Sequence, residues 1–183
     1  MTKQQQARDQ RRGFLKKSAA GALGGAMLTS LHSPPALHAA GDDVIKVGLI
    51  GCGGRGTGAA VNAMRADANM HLVAMCDLFP DRLQQSRRVL AQQAKQQGMA
   101  GKINVSDERC HTGFDGYKQL VNSDVDVVLL CTPPHFRPLQ LRAAIEANKH
   151  VFCEKPVAVD PTGVRHVLET VAMARQKDLN LVS

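Results

Sequence analysis

An apolar, strand-like run leads directly into a glycine-rich loop near residue 50, and this junction constrains the fold more than any other feature. Val44–Ile50 is followed by Gly-x-Gly-x-x-Gly and then by a helix-like segment. In that order the first glycine permits a tight turn, the second lets the backbone approach a pyrophosphate, and the third lets the helix pack closely on the strand. The helix N-terminus adds unpaired N–H groups and a partial positive charge. The junction predicts a dinucleotide-binding loop whose candidate contacts are Gly51, Cys52, Gly53, Gly54, Arg55 and Gly56.

An acidic residue follows where such a loop requires one. His71–Cys76 is predicted to be a second buried strand, and Asp77 lies at its end, near the ~20-residue spacing of dinucleotide-binding units. A carboxylate there accepts hydrogen bonds from the adenosine ribose and repels a 2′-phosphate, so NAD is favoured over NADP. Arg82 complicates the choice, because it can stack on adenine or reach a phosphate. A plain turn or helix-start role for Asp77 stays open.

The first forty residues are predicted to be a targeting segment and not part of the fold. Arg11–Lys16 resembles the twin-arginine export motif, and the Ala/Gly-rich run Ser18–Leu31 is too short and too mildly apolar to remain as a membrane anchor. We therefore expect residues 1–40 to be an export signal, residues 41–183 to form the dinucleotide-binding domain, and the protein to be periplasmic or otherwise exported. A basic tail is the alternative.

The same segment explains the charge of the chain. The formal net charge is +7, and most of it comes from residues 1–40, where six Lys and Arg side chains stand against Asp9 alone. The remainder carries no basic, aromatic-rich surface, so a nucleic-acid partner is not predicted. No later segment is long and apolar enough for a stable membrane span.

The cysteines fit neither a metal site nor a disulfide framework. There are five, at spacings that match no zinc pattern, and an odd number argues against complete pairing. Four of them (Cys52, Cys76, Cys131 and Cys153) fall at or just after the ends of predicted strands. We expect them to line the carboxyl edge of a parallel sheet as small buried apolar side chains.

Strand-like and helix-like runs alternate along the chain, which predicts an α/β fold with a doubly wound, Rossmann-type parallel sheet. Asp160 is predicted to cap a helix with Pro161 at its first position, and Val164, Val167, Leu168 and Val171 to form one face of that helix. The predicted strands are 45–50, 71–76, 109–112, 125–131, 150–153 and 180–183, and the predicted helices are 55–65, 80–97, 115–122, 138–147 and one beginning at 161. Because the last strand reaches the final residue, we expect the domain to be truncated at that end.

A second motif, Glu154-Lys155-Pro156, follows the predicted strand His150–Cys153. Open α/β sheets bind ligands at the carboxyl ends of their strands. Lys155 beside a nicotinamide can hydrogen-bond a substrate hydroxyl, and partial burial would lower its pKa so that it exchanges a proton during hydride transfer. Glu154 is predicted to orient Lys155 or the cofactor amide. A solvated surface pair is the alternative.

Together, the glycine loop, Cys131-Thr132-Pro133-Pro134 and Glu154-Lys155-Pro156 resemble the Gfo/Idh/MocA oxidoreductases, over essentially all of residues 44–183. The resemblance implies an N-terminal Rossmann domain followed by a C-terminal substrate domain. It also implies that Lys155 is the catalytic or substrate-contacting lysine, joined to Pro156 by a cis peptide, that Thr132 and Pro133 line the cofactor, and that Asp77 contacts the adenosine ribose.

The chain departs from the family pattern in two places. The family often has Thr-Pro-Asn-x-x-His after the fourth strand, whereas here Pro134 takes the Asn position and Arg137 the His position. His135, displaced by two, is a weaker candidate for cofactor contact. The second-domain His and Asp of the family would lie beyond Ser183, so this chain alone is expected to be inactive.

Three functions are consistent with these features. The first is an exported NAD(P)-dependent oxidoreductase acting on a sugar, cyclitol or polyol. The second is an NAD-dependent glycosidase of the same architecture, and the third is a non-catalytic dinucleotide-binding or sensing protein. The expected partners are the small-molecule substrate and the twin-arginine export machinery; a homo-oligomer of the full-length protein stays open.

Overall fold

The computed structural model describes residues 43–183, and these form a six-stranded parallel sheet with helices on both faces. The export segment predicted for residues 1–40 lies outside the described residues. The strands are β1 (Ile45–Ile50), β2 (Met70–Asp77), β3 (Cys110–Thr112), β4 (Val127–Leu130), β5 (His150–Cys153) and β6 (Leu181–Val182). The helices are α1 (Gly54–Ala66), α2 (Pro80–Gln96), α3 (Gly116–Val121), α4 (Arg137–Glu146) and α5 (Pro161–Gln176), with 3-10 turns at Ala100–Lys102 and Asp107–Arg109.

The strand order is β3-β2-β1-β4-β5-β6, and all neighbouring pairs are parallel. The chain therefore moves outward from β1 to β3, returns to place β4 on the other side of β1, and continues outward. The reversal lies between β1 and β4, and sheets of this type bind ligands at the carboxyl edge of such a switch point. The doubly wound parallel sheet predicted from the sequence is confirmed.

Alternating side chains of the strands form two cores, one on each face. Leu49 lies in the core that α1 and α2 cover, whereas its neighbour Ile50 lies in the core beneath α3, α4 and α5. Both side chains are at most 1% exposed. This burial on both faces explains why the central strands read as continuous apolar runs. Among residues 43–183, none of the helices combines the length and apolar content needed to cross a membrane.

Helix α5 begins as predicted, but only part of its predicted apolar face contacts the core. The Asp160 Oδ1 accepts a hydrogen bond from the Gly163 N–H at 2.6 Å, which confirms the cap. The four residues predicted to share one face are not all buried, because Val164 and Leu168 are 43% and 63% exposed. The buried side chains of the helix are instead Val167, Thr170 and Ala174. The core therefore covers only one side of the apolar face of the helix. The spacing of the apolar residues in the sequence does not show which side that is.

Candidate dinucleotide site

A cleft of about 1060 Å³ opens along the carboxyl edge of the sheet, across the switch point between β1 and β4. Of the residues predicted to bind cofactor or substrate, those that line it are Gly51, Gly53, Gly54, Arg55, Asp77, Arg82, Thr132, Pro133, His135, Glu154 and Lys155. Cys52 and Gly56 do not line it; both are buried behind the loop. Segments about 100 residues apart in the sequence therefore meet in one cavity.

The glycine loop has the shape that its sequence predicts. Gly51 has a φ of +95°, and a Cβ there would lie 2.7 Å from the backbone of Cys131, so both the conformation and the space call for glycine. A Cβ on Gly56 would overlap the carbonyl oxygen of Gly51, which shows how closely α1 approaches the turn. By contrast, a Cβ on Gly53 or Gly54 would meet nothing within 4 Å.

The start of α1 carries no capping side chain. The N-cap Gly53 offers none, and no acidic residue lies in the first turn. The first N–H groups of a helix need partners from outside the helix, and an anion supplies them well. The open space at Gly53 and this uncapped N-terminus fit the pyrophosphate of a dinucleotide.

Asp77 ties the end of β2 to the glycine loop. Its Oδ2 accepts the Cys52 N–H at 2.6 Å, and its Oδ1 accepts the Phe79 N–H at 3.0 Å. Each carboxylate oxygen can accept more than one hydrogen bond, so both retain capacity for ribose hydroxyls. The carboxylate is thereby held at the cleft wall, where the predicted contact with the adenosine ribose requires it.

Two aromatic side chains extend the cleft beyond Asp77, and sequence reasoning did not include them in the site. Phe79 and Phe114 are 49% and 72% exposed and both line the cavity. The Arg82 guanidinium lies 5.4 Å from the centre of the Phe79 ring. Phe114 follows β3, which pairs with β2, so the two strands end at the same edge of the sheet. Knowledge of this strand order would have indicated that Phe114 lies near Asp77.

The segment after β5 differs from its prediction in two respects. The Lys155–Pro156 peptide is cis, as the resemblance implied. However, the Glu154 side chain pairs with a residue that the sequence did not indicate: its Oε1 accepts from Arg55 Nε at 2.6 Å and also from Nη2. The partial burial that would lower the pKa of Lys155 is not observed among residues 43–183, because its side chain is exposed, lying past the sheet edge where no described element covers it.

Arg137 has a role that its sequence position did not indicate. Although charged, it is only 6% exposed. Its Nε donates to the Thr132 carbonyl at 2.7 Å, and its Nη1 donates to the Pro156 carbonyl. It therefore joins the segments that follow β4 and β5. Sequence reasoning noted Arg137 only as a departure from a family histidine.

The remaining candidates after β4 lie along the same wall. The Thr132 hydroxyl donates to Gln140 Oε1 at 2.6 Å. His135 lines the cleft and packs edge-on against Phe136, with ring centres 5.2 Å apart. Both side chains sit near the opening, and a cofactor contact by either remains a prediction.

The cysteines are free thiols, and four of them gather at this edge as expected. Burial raises the pKa of Cys76 and of Cys131 to about 12, and that of Cys153 to about 11. Thiols with such pKa values are protonated near neutral pH and are weak nucleophiles. They pack the edge as apolar side chains.

Comparison with known proteins places these features in one family. Residues 45–181 match the profile of the oxidoreductase family with an NAD-binding Rossmann fold, Gfo/Idh/MocA. A glycosyl hydrolase family 109 protein of Shewanella pealeana is 31% identical over 176 residues, which is 87% of this chain and 36% of that protein. An inositol 2-dehydrogenase/D-chiro-inositol 3-dehydrogenase of Lactiplantibacillus plantarum is 28% identical, over 69% of this chain and 32% of its own length.

Comparison with solved structures supports the same assignment. An NAD-binding oxidoreductase from Klebsiella pneumoniae matches with a TM-score of 0.58 and 28% identity, over 76% of this chain and 34% of that one. The chain thus spans about a third of the length of the relatives it matches. The prediction of NAD as cofactor is confirmed by the family, and the open glycine loop and the anchored Asp77 fit it.

Proposed function

Because the chain belongs to the Gfo/Idh/MocA family of NAD-binding oxidoreductases, we propose that it is the dinucleotide-binding part of an enzyme that transfers hydride between nicotinamide and a sugar, cyclitol or polyol. One observation carries the proposal. The glycine loop, Asp77 and Lys155 line a single cleft at the switch point of the sheet. A dinucleotide held at the first two is long enough to extend toward the third.

Each part of the cleft has a distinct task in this proposal. Bound NAD supplies the hydride acceptor. The glycine loop binds the pyrophosphate, and Asp77 binds the adenosine ribose and disfavours a 2′-phosphate. Lys155 hydrogen-bonds the substrate hydroxyl and, in its neutral amine form, takes up the proton as the carbon is oxidised. Arg137 holds the Pro156 carbonyl and so limits where Lys155 can lie.

The relatives support a polyhydroxylated substrate. The Lactiplantibacillus plantarum relative is named for the oxidation of inositols, which are cyclitols. The Shewanella pealeana relative is named as a glycosyl hydrolase, and this favours a second candidate, an NAD-dependent glycosidase. Such an enzyme oxidises the sugar, eliminates the leaving group, adds water to the resulting double bond and reduces the sugar again, so NAD is not consumed.

The domain layout and the location are also part of the proposal. Residues 1–40 would direct export through the twin-arginine system, on the strength of Arg11–Lys16, and residues 41–183 would form the dinucleotide-binding domain. Because that system carries folded proteins, the cofactor would be acquired before export. Protein recovered from the periplasm should then contain stoichiometric nicotinamide, and recovery of cofactor-free protein that binds NAD weakly would contradict this.

One experiment separates the candidates. A version of the protein that includes a substrate domain is incubated with NAD and a panel of inositols and sugars while absorbance at 340 nm is followed, and in parallel with nitrophenyl glycosides. NADH formation that is lost in Lys155→Ala supports the dehydrogenase, and nitrophenol release without net NADH supports the glycosidase. NADH binding with neither activity supports a cofactor-binding module. Absence of NADH binding would contradict all three.

A further inference from the structure

Arg55 and Glu154 form an ion pair, and both residues line the proposed dinucleotide cleft. Arg55 belongs to the glycine loop at the start of α1, and Glu154 follows β5. Strand β4 lies between β1 and β5 in the sheet. With neighbouring strands roughly 4.8 Å apart, β1 and β5 are separated by roughly 10 Å, and the ion pair joins the segments that follow them.

The two partners differ in their surroundings. The Glu154 side chain is 7% exposed, whereas that of Arg55 is 59% exposed. Hydrogen bonding from Arg55 and the nearby charge lower the pKa of Glu154 below its ordinary value, and Arg137 adds to this effect. Glu154 is therefore a buried, ionised carboxylate at neutral pH. The cation that pairs with it is Arg55, through Nε and Nη2.

A buried carboxylate in this place conflicts with the ligand of the cleft. The pyrophosphate of a dinucleotide carries two negative charges and must lie at the glycine loop, next to Arg55. Like charges at short range in a partly desolvated site repel strongly. Unless it is neutralised, Glu154 would oppose the binding of the dinucleotide.

Arg55 has donors to spare for resolving the conflict. A guanidinium carries five N–H donors in a planar fork. Nε and Nη2 of Arg55 are directed to Glu154, and among residues 43–183 no hydrogen bond involves its Nη1. The side chain can therefore hold a carboxylate with one edge and meet an anion with the other.

We infer that Arg55 is a bridging residue, which neutralises Glu154 and at the same time binds the dinucleotide pyrophosphate. The inference rests on the proposed dinucleotide site and extends it. It links the occupancy of the glycine loop to the segment that carries Lys155, because Glu154 is the neighbour of that lysine. Arg55 thus connects the pyrophosphate to the Glu154–Pro156 segment through its contacts with Glu154.

The test is a titration of the full chain with NADH, using Arg55→Ala, Glu154→Gln and the double variant. Arg55→Ala should weaken NADH binding by roughly 10- to 100-fold, the range for loss of a charge-assisted hydrogen bond. The double variant should bind NADH more tightly than Arg55→Ala alone, because the unpaired carboxylate is gone. Arg88→Ala is the matched control; Arg88 is exposed on α2, does not line the cleft, and carries the same charge.

Each outcome decides the inference. If Arg55→Ala binds NADH as tightly as the wild type, the bridging role is overturned while the dinucleotide site stands. If the double variant is as weak as Arg55→Ala, the neutralising role is overturned. If the wild type binds no NADH, the inference falls together with the proposed function. Thermal unfolding without ligand is measured for every variant, and a loss of binding that merely follows a loss of folded protein also overturns it.

Discussion

The carboxylate of Asp77 accepts the N–H of Cys52 at 2.6 Å, across the gap between the end of β2 and the glycine loop. The two residues are 25 positions apart in the sequence. This bond fixes the distance between the group expected to hold the adenosine ribose and the loop expected to hold the pyrophosphate. The spacing that a dinucleotide requires is therefore built into the fold before any ligand arrives.

The first prediction concerns cofactor choice. Asp77→Asn keeps the shape of the side chain but removes the charge that repels a 2′-phosphate. We expect NADH to bind about 10-fold more weakly and the ratio of NADPH to NADH affinity to rise by about 10-fold or more. Fluorescence titrations with both nucleotides measure this. Glu108→Gln, an exposed change outside the cleft, should leave the ratio as it is; an unchanged ratio in Asp77→Asn would argue against the assigned role.

The second prediction separates the structural glycine from the ligand-facing one. Gly56→Ala should destabilise the fold by about 1–3 kcal/mol, because its Cβ overlaps backbone that cannot move aside. Gly53→Ala should leave thermal stability nearly unchanged, since its Cβ meets no protein atom, yet it should weaken NADH binding by filling space in the cleft. Thermal unfolding and NADH titration together test both.

A matched control lies on the same helix. A Cβ on Gly58 would also meet nothing within 4 Å, and Gly→Ala in a helix interior gains about 0.5–1 kcal/mol. Gly58→Ala should therefore stabilise the chain slightly and leave NADH binding intact. Equal effects of the alanine at positions 53 and 58 would contradict the account of the loop.

The third prediction concerns Arg137. Arg137→Met removes the donors to the Thr132 and Pro156 carbonyls but retains most of the apolar side chain. Leaving buried acceptors unpaired should cost about 1–3 kcal/mol of unfolding free energy, measured in urea. Arg137→Lys should recover part of this. Arg142→Ala, which breaks an exposed pair with Glu146, should change stability by only about 0.5 kcal/mol; a similarly small effect at Arg137 would refute the joining role.

The fourth prediction concerns pH. Asp124 lies between Arg109 and Lys46, at 2.6 and 2.9 Å, and their hydrogen bonds hold its pKa well below its ordinary value. A carboxylate with a lowered folded-state pKa adds stability above its unfolded pKa, and this stability is lost as the pH falls through the folded pKa. Asp124→Asn should thus lower the melting temperature at pH 7, and the effect should be smaller at pH 2, below the pKa of an ordinary aspartate. An equal effect at both pH values would show that the ion pairs are not its cause.

The features that could be predicted from the sequence were those determined by neighbouring residues along the chain. The limits of β1 and β5 follow from continuous apolar runs, and both match the structure. The predicted fourth strand, residues 125–131, is longer than the observed one, which begins only at Val127. Val125 is buried but lies outside the sheet, since a residue can be buried without belonging to a strand.

The contacts within the site were less accessible. Arg55 and Glu154 are 99 positions apart, so their pairing depends on the strand order and on the angle at which each segment leaves the sheet. The buried position of Arg137 similarly requires knowing that the segments after β4 and β5 converge. The kinds of residue in the cleft could be predicted from motifs, whereas their partners could not.

The central claim is that the cleft binds NAD and that Asp77 selects it. The chain contains no Trp, so directly excited NADH emission reports binding without energy transfer from tryptophan. Titration of the wild-type chain with NADH and, separately, with NADPH is the most direct measurement. We expect saturable one-to-one binding of NADH that is displaced by NAD, with NADPH bound more weakly. Absence of saturable NADH binding, or equal affinity for NADPH, would contradict it.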